Sequence, residues 1–160
     1  MATPTNLPAS FVSGAVLTAA QQNDLRGAFR VLQVATAVTT TQQSSTSATF
    51  VDCTGQSVTI TPQAATNKIL LISTNSLIAS VFNANVNIRF LRNATTIYTA
   101  IAGFIAADSG GNFTSIQIDS PNTTSAVTYK VQFARAAGTG TVFSNLSGAA
   151  STFLVMEISA

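Results

Sequence analysis

Histidine is absent from this sequence of 160 residues, and only 8% of its side chains are charged. Histidine is the side chain that proteins use most often to move protons near neutral pH and to bind transition metals. Its absence, together with the scattered positions of seven Lys/Arg and five Asp/Glu residues, argues against an acid–base enzyme or a metalloenzyme. The polar surface must come mainly from Ser, Thr, Asn and Gln, which suits a protein that acts through shape and contact. We therefore expect a non-enzymatic structural or binding protein with no cofactor and no metal site.

The low charge, the short apolar runs and the single cysteine limit the classes of partner and the cellular location that we expect. The net charge is only +2, and the basic residues form no run and no alternation with aromatic residues, so we expect no nucleic-acid partner. No apolar run reaches the roughly 18 residues that a membrane span requires, and the N-terminus lacks the basic and apolar regions of a secretion signal. We therefore expect no membrane partner and a protein made in a cytoplasm. The single cysteine, Cys53, cannot form an internal disulfide and is interpreted as a small, partly buried side chain.

Two carboxylates and one glycine-rich turn are the remaining candidates for chemistry. Asp52 and Asp119 could act as a glycosidase pair only if they lay about 5–10 Å apart, and no sequence pattern brings them together. Asp108 precedes Ser-Gly-Gly but lacks the spaced oxygen ligands of a calcium loop and the lysine of a phosphate loop, so a hairpin turn is favoured there. We expect no catalytic residue in this chain.

The first 30 residues have a pattern unlike the rest. Thr18 and Gln21 match a capping box, and apolar side chains then recur at helical spacing, which predicts one helix near residues 19–30. A proline-bearing arm precedes the helix and would contribute little to a core, so a role in assembly is favoured over a helix that packs across its own domain. The expected partner-binding residues are apolar side chains of the arm and helix: Leu7, Phe11, Val16, Leu25, Phe29 and Leu32.

From Val31 onward the apolar period becomes two. Val127–Phe133 and Val86–Phe90 alternate apolar with polar residues, as strands with one buried face do, and turn residues such as Thr54-Gly55 separate the apparent strands. Eight to ten short strands at this spacing predict a mainly β protein, an antiparallel, jelly-roll-like β-sandwich. The sequence is therefore divided into residues 1–30, the arm and one short α-helix used for anchoring or oligomerisation, and residues 31–160, the sandwich.

Two segments depart from simple alternation. Lys68–Ile72 and Phe153–Ile158 are apolar on both faces, which predicts central strands covered on both sides or strands at a subunit contact. Residues 39–49 are almost all Thr, Ser, Gln and Ala and could form either a flexible loop or an exposed strand edge. Because the mean hydropathy is positive, we expect further apolar surface to be hidden between subunits.

The N-terminal segment resembles the opening of small structural proteins of tailed bacteriophages. Phe11, Gly14, Val16 to Ala20 and Asn23 match the pattern F-x-x-G-x-V-L-T-A-A-x-x-N, and residues 25–34 continue the likeness to phages of aquatic bacteria, cyanophages among them. Residues 119–121, 124–133 and 156–158 also resemble that group. The likeness touches both ends of the chain and leaves about half of it uncovered.

This resemblance implies a structural virion protein without enzymatic activity, often a homotrimer, assembled in the host cytoplasm. One expected role is capsid decoration or cement, with the major capsid protein as partner. The alternative is a short tail fibre or receptor-binding protein whose partners are tail proteins and the host surface. Capsid decoration is favoured because the sequence contains no coiled coil or repeated shaft.

Overall fold

The computed structural model describes residues 30–82, 84–103, 107–145 and 148–159, together with residues 14, 16, 18, 19 and 22. Within these residues the chain forms ten β-strands. They are β1 (Val31–Thr39), β2 (Gln43–Ser45), β3 (Val51–Ile60), β4 (Lys68–Ala79), β5 (Asn85–Arg92), β6 (Thr95–Gly103), β7 (Ser109–Asp119), β8 (Val127–Ala137), β9 (Val142–Ser144) and β10 (Ser151–Ile158).

The strands pair as a long hairpin that has been rolled up. β5 pairs with β6, β4 with β7, β3 with β8 and β1 with β10, all antiparallel. In the sequence, each of these pairs lies between the two strands of the pair named after it. The pairs β4–β10 and β5–β8 then join these units into two sheets. Sheet A has the order β1-β10-β4-β7, and sheet B has the order β3-β8-β5-β6. This nested pairing in two sheets is the jelly-roll arrangement and confirms the predicted antiparallel sandwich.

Two short strands extend sheet A at one end. β9 pairs with β4 beyond the point where β10 stops, and β2 pairs with β9 in turn. The polar segment at residues 39–49, expected to be a loop or a strand edge, therefore contains one three-residue strand within irregular chain.

Large side chains from both sheets meet in one core. The alternating residues of the strands at positions 127–133 and 86–90 face inward as predicted. Phe90 of sheet B and Phe153 of sheet A lie with ring centroids 5.6 Å apart, which joins the two layers. Burial of each such side chain contributes about 1.5–3 kcal/mol. The largest fully buried residues are Tyr129, Phe90, Phe133, Phe153, Ile69 and Leu71.

One polar joint crosses from sheet A to sheet B. Asp119, the last residue of β7, accepts hydrogen bonds from Nη1 of Arg92 at 2.9 and 3.0 Å and from the Tyr129 hydroxyl at 2.7 Å. Arg92 also donates to the carbonyl oxygen of Ser120. Because these partners come from β5 and β8, the joint holds the end of β7 in one position against sheet B.

A second polar group fixes the loop between β3 and β4. Glu157 is fully buried, and its Oε1 accepts hydrogen bonds from the backbone N of Gln63 at 2.7 Å and from Nδ2 of Asn67 at 2.6 Å. Its Oε2 accepts a hydrogen bond from Nε2 of Gln33. The carboxylate thereby accepts hydrogen bonds from three residues, one on β1 and two in this loop.

Several predicted details differ from the structure. Thr54-Gly55 does not end a strand but lies inside β3, where the pairing register with β8 shifts between Asp52 and Ser57. Gly55 has φ +84°, a value that a bulge can require and that glycine adopts freely. The turn at Asp108 is not a hairpin turn, because β6 and β7, on either side of it, belong to different sheets.

The predicted helix over residues 19–30 lies almost entirely outside the described residues. Ala19 and Gln22 are helical, and the backbone N of Gln22 donates to the carbonyl oxygen of Thr18 at 3.0 Å. Arg30 is not part of a helix, because its backbone N and O bond to Ser159 beside the sheet.

Candidate interaction surface

The outer face of sheet A carries two adjacent rows of mainly aliphatic side chains. Residues directly opposite one another in an antiparallel pair lie on the same face, so Val34, Met156, Leu70 and Ile118 form one row across all four strands. Leu154, Ile72 and Ile116 form the next row. We call these seven side chains the aliphatic face. Among the four strands, Lys68 at the end of β4 is the one charged residue that points outward.

Strand β7 turns its aliphatic side chains away from the core. Ile116 and Ile118 are each 57% exposed, whereas Ser115 and Asp119 on the opposite face are buried. Eleven residues of β7 pair in continuous register with β4, and Asp119 is held by its bonds to sheet B, so this orientation is firmly set. A shift of one residue would reverse it and place both isoleucines inside. The chain therefore keeps two large aliphatic side chains on its surface where inward burial would have been the ordinary outcome.

The outer face of sheet B is mainly polar, with Ile101 as an exposed aliphatic residue. Asp52 accepts hydrogen bonds from Nε2 of Gln132 at 2.5 Å and from Nζ of Lys130 at 3.2 Å. Arg89 donates to Gln132 at 2.7 Å, and its guanidinium lies 4.0 Å from the centroid of the Phe50 ring. This network spans three strands of sheet B and is partly open to solvent.

The titratable side chains of the described residues offer no activated nucleophile. Burial raises the pKa of the Cys53 thiol to about 12, so the thiol stays protonated and unreactive. Burial, followed by the hydrogen bond to Asp119, raises the pKa of Tyr129 above its ordinary value. The hydrogen bond from Gln132 and the proximity of Lys130 hold the pKa of Asp52 below its ordinary value. These groups are arranged to stabilise the sandwich.

The two candidate carboxylates are not brought together. Asp52 bonds to Lys130 and Gln132 on the outer side of β8, whereas Asp119 bonds to Tyr129 on the inner side of the same strand. Across the described part of the chain, no group of three or more Cys, Asp or Glu residues could hold a metal ion. No helix within the described ranges is long and apolar enough to span a membrane.

The structure describes two of the six predicted partner-binding residues. Val16 is 91% exposed, and Leu32 lies half-buried in β1. The other four, Leu7, Phe11, Leu25 and Phe29, lie outside the described residues.

The sequence did not predict that the isoleucines of β7 and Val34 of β1 point outward and complete the aliphatic face. The pattern at residues 113–119 alternates correctly for a strand, but hydrophobic periodicity alone assigns the isoleucines to the core. The sequence did contain a signal for an apolar outer face. The two segments that are apolar on both faces are β4 and β10, the central strands of this sheet.

No protein-family model matches the sequence, and no curated protein sequence matches it either. The fold is similar to the VP2 subviral particle of infectious bursal disease virus, with a TM-score of 0.50 and 13% identity over 81% of this chain and 34% of that chain. The structure of the Gx strain of infectious bursal disease virus is a weaker match, with a TM-score of 0.44 and 14% identity over 80% of this chain and 36% of that one. The chain thus spans about a third of the length of these structures. The first likeness shows that the chain has a jelly-roll fold of the kind found in a viral capsid protein.

Proposed function

We propose that this chain is a structural protein of a virus particle, a capsid decoration or cement protein of a tailed bacteriophage that acts without catalysis. The observation that carries the proposal is the nested jelly-roll pairing, which matches the fold of a viral capsid protein. The N-terminal resemblance to phage virion proteins supplies the kind of virus. The unreactive thiol and the separated carboxylates agree with a role in contact.

The arm would bind the particle from one end of the sandwich. The backbone N of Ser159 donates to the carbonyl oxygen of Arg30 at 2.9 Å, and the Ser159 hydroxyl accepts from the backbone N of Arg30 at 2.9 Å. Both ends of the sandwich chain therefore leave at the same place, beside the start of β1. If residues 1–29 bind the capsid shell, this end of the sandwich would face the shell. The opposite end, with β2 and β9, would then point away from the particle.

Attachment would rest on burial of apolar side chains of the arm and helix. Each large side chain that becomes fully buried contributes about 1.5–3 kcal/mol, and several copies joined as the expected homotrimer would add by avidity. Few charges lie in the segment, so binding should depend little on salt.

Deletion of residues 1–29 tests this proposal. The shortened chain keeps Arg30 and its bonds to Ser159, so we expect a folded sandwich that no longer joins particles. Cosedimentation with particles measures the loss, and normal incorporation of the shortened chain would overturn the anchor assignment. Phe29→Asp should weaken incorporation more than the neighbouring Arg30→Asp, and equal effects would argue against an apolar contact.

The second candidate is a short tail fibre or receptor-binding protein, favoured by the same N-terminal resemblance. Copy number separates the two roles, because a shell protein is present in hundreds of copies per particle and a tail protein in a handful. A tail protein would also bind host cells as an isolated protein. Electron microscopy of particles labelled on this chain would locate it on the head or the tail.

A further inference from the structure

We propose that the aliphatic face of sheet A is the contact surface for a second copy of this chain. The proposal concerns the body of the protein and is independent of the arm that would bind the particle. Its first support is β7. Register with β4 and the joint at Asp119 together point Ile116 and Ile118 outward, an orientation that brings no benefit to a lone chain.

The described residues of the arm are exposed to solvent. Val16 is 91% exposed, and Ala19 and Gln22 are exposed as well. Ile116 and Ile118 are more than half accessible beside these residues.

The charge of the surface favours a copy of itself over an unlike partner. A basic or acidic partner would find no opposite charge on the aliphatic face, where Lys68 lies only at the margin. An uncharged aliphatic surface can meet another of the same kind without repulsion and without stranding an ion. A contact through sheet B would remove water from its polar network, which costs free energy. We therefore expect sheet B to remain exposed to solvent.

The aliphatic face and the row beside it, formed by Val38, Thr152, Thr74 and Thr114, are together large enough for a weak specific contact. These rows span four strands about 4.8 Å apart and about seven residues of each strand at 3.4 Å, which is about 450 Å². Two copies would bury about 900–1,000 Å² in total, at the lower limit for specific interfaces, so self-association on the order of micromolar is expected.

Sedimentation of the full-length chain over a range of concentrations tests the contact. We expect the mass to rise from one chain to two with increasing concentration. The double variant Ile116→Glu/Ile118→Glu should associate about 100-fold more weakly, because each glutamate would have to be desolvated at the contact. Both positions are exposed, so circular dichroism should show an unchanged fold.

Ile101→Glu is the matched control. Ile101 is 66% exposed on β6 and lies opposite Asn87 on the outer face of sheet B, so the same substitution there should leave the mass distribution unchanged. Val34→Glu, on β1 at the far side of the aliphatic face, should weaken association as the β7 variant does.

Three results would overturn the proposal. They are a wild-type chain that stays monomeric at about 500 µM, a β7 variant that associates normally, and an Ile101 variant that is impaired as severely. A chain that self-associates through this face but fails to join particles would refute the proposed function and leave this contact intact.

Discussion

The two sheets bury similar side chains inside the sandwich but present different chemistry outside. Sheet B carries Asp52, Lys130, Gln132 and Arg89 in one hydrogen-bonded network, whereas sheet A carries two rows of aliphatic side chains. The shared interior supplies most of the stability of a single chain. The difference between the outer faces therefore supports the proposal that sheet A meets another copy of the chain, and it suits sheet B to contact with water.

The difference between the two outer faces depends on the Asp119 contacts with Arg92 and Tyr129, which help to hold β7 in register. Removing these contacts should have the largest effect on stability. Asp119→Ala leaves Arg92 without its carboxylate and the buried Tyr129 hydroxyl without its acceptor. We expect a loss of about 3 kcal/mol in the free energy of unfolding, measured by urea denaturation. A loss below about 1 kcal/mol would mean that pairing with β4 alone fixes the orientation of β7.

A polar residue on the inner face of sheet B provides the second test. Gln56 is 1% exposed, and neither its Oε1 nor its Nε2 has a hydrogen-bond partner among the described residues. Gln56→Leu should raise the free energy of unfolding by about 1–2 kcal/mol, because it removes a buried amide that is not satisfied. Urea denaturation of the variant beside the wild type measures the gain, and destabilisation would show that the amide is bonded in solution.

The ion pair on the outer face of sheet B should contribute less. Lys130 and Asp52 are 3.2 Å apart with side chains 38% and 50% exposed, so solvent screens their attraction. Lys130→Ala should cost less than about 1 kcal/mol at low salt and still less at high salt. Self-association through the aliphatic face should change little over the same salt range, and an equally strong salt dependence of both quantities would remove the contrast between the faces.

Acid should produce the smallest effect. The folded pKa of Asp52 lies below its ordinary value of 3.8, chiefly because Gln132 donates to the carboxylate. Its contribution to stability is therefore fully present above the ordinary pKa and is lost as the pH falls through the lowered one. Relative to Asp52→Asn, the wild type should be slightly more stable at neutral pH and should lose that advantage in acid. A constant difference at every pH would exclude the ionised carboxylate as its cause.

The sequence predicted the sandwich because the apolar residues that alternate at 86–90 and 127–133 are the residues that point into the core. It also marked Lys68–Ile72 and Phe153–Ile158 as apolar on both sides, and these became the central strands β4 and β10 of sheet A. It could not assign the outward direction of Ile116 and Ile118, which depends on contacts of Asp119 with residues distant in the chain. The same limit applies to Gly55, where a bulge and a turn require the same backbone freedom.

Thiol labelling measures directly whether sheet A meets another protein. The native Cys53 is buried with a thiol pKa raised to about 12, so Ile118→Cys and Ile101→Cys each add one reactive thiol. In the associated protein, we predict that the cysteine at position 101 reacts rapidly with a maleimide while the cysteine at 118 is protected, and that dilution to monomer restores its reactivity. Equal labelling rates at both positions, at all concentrations, would contradict the account.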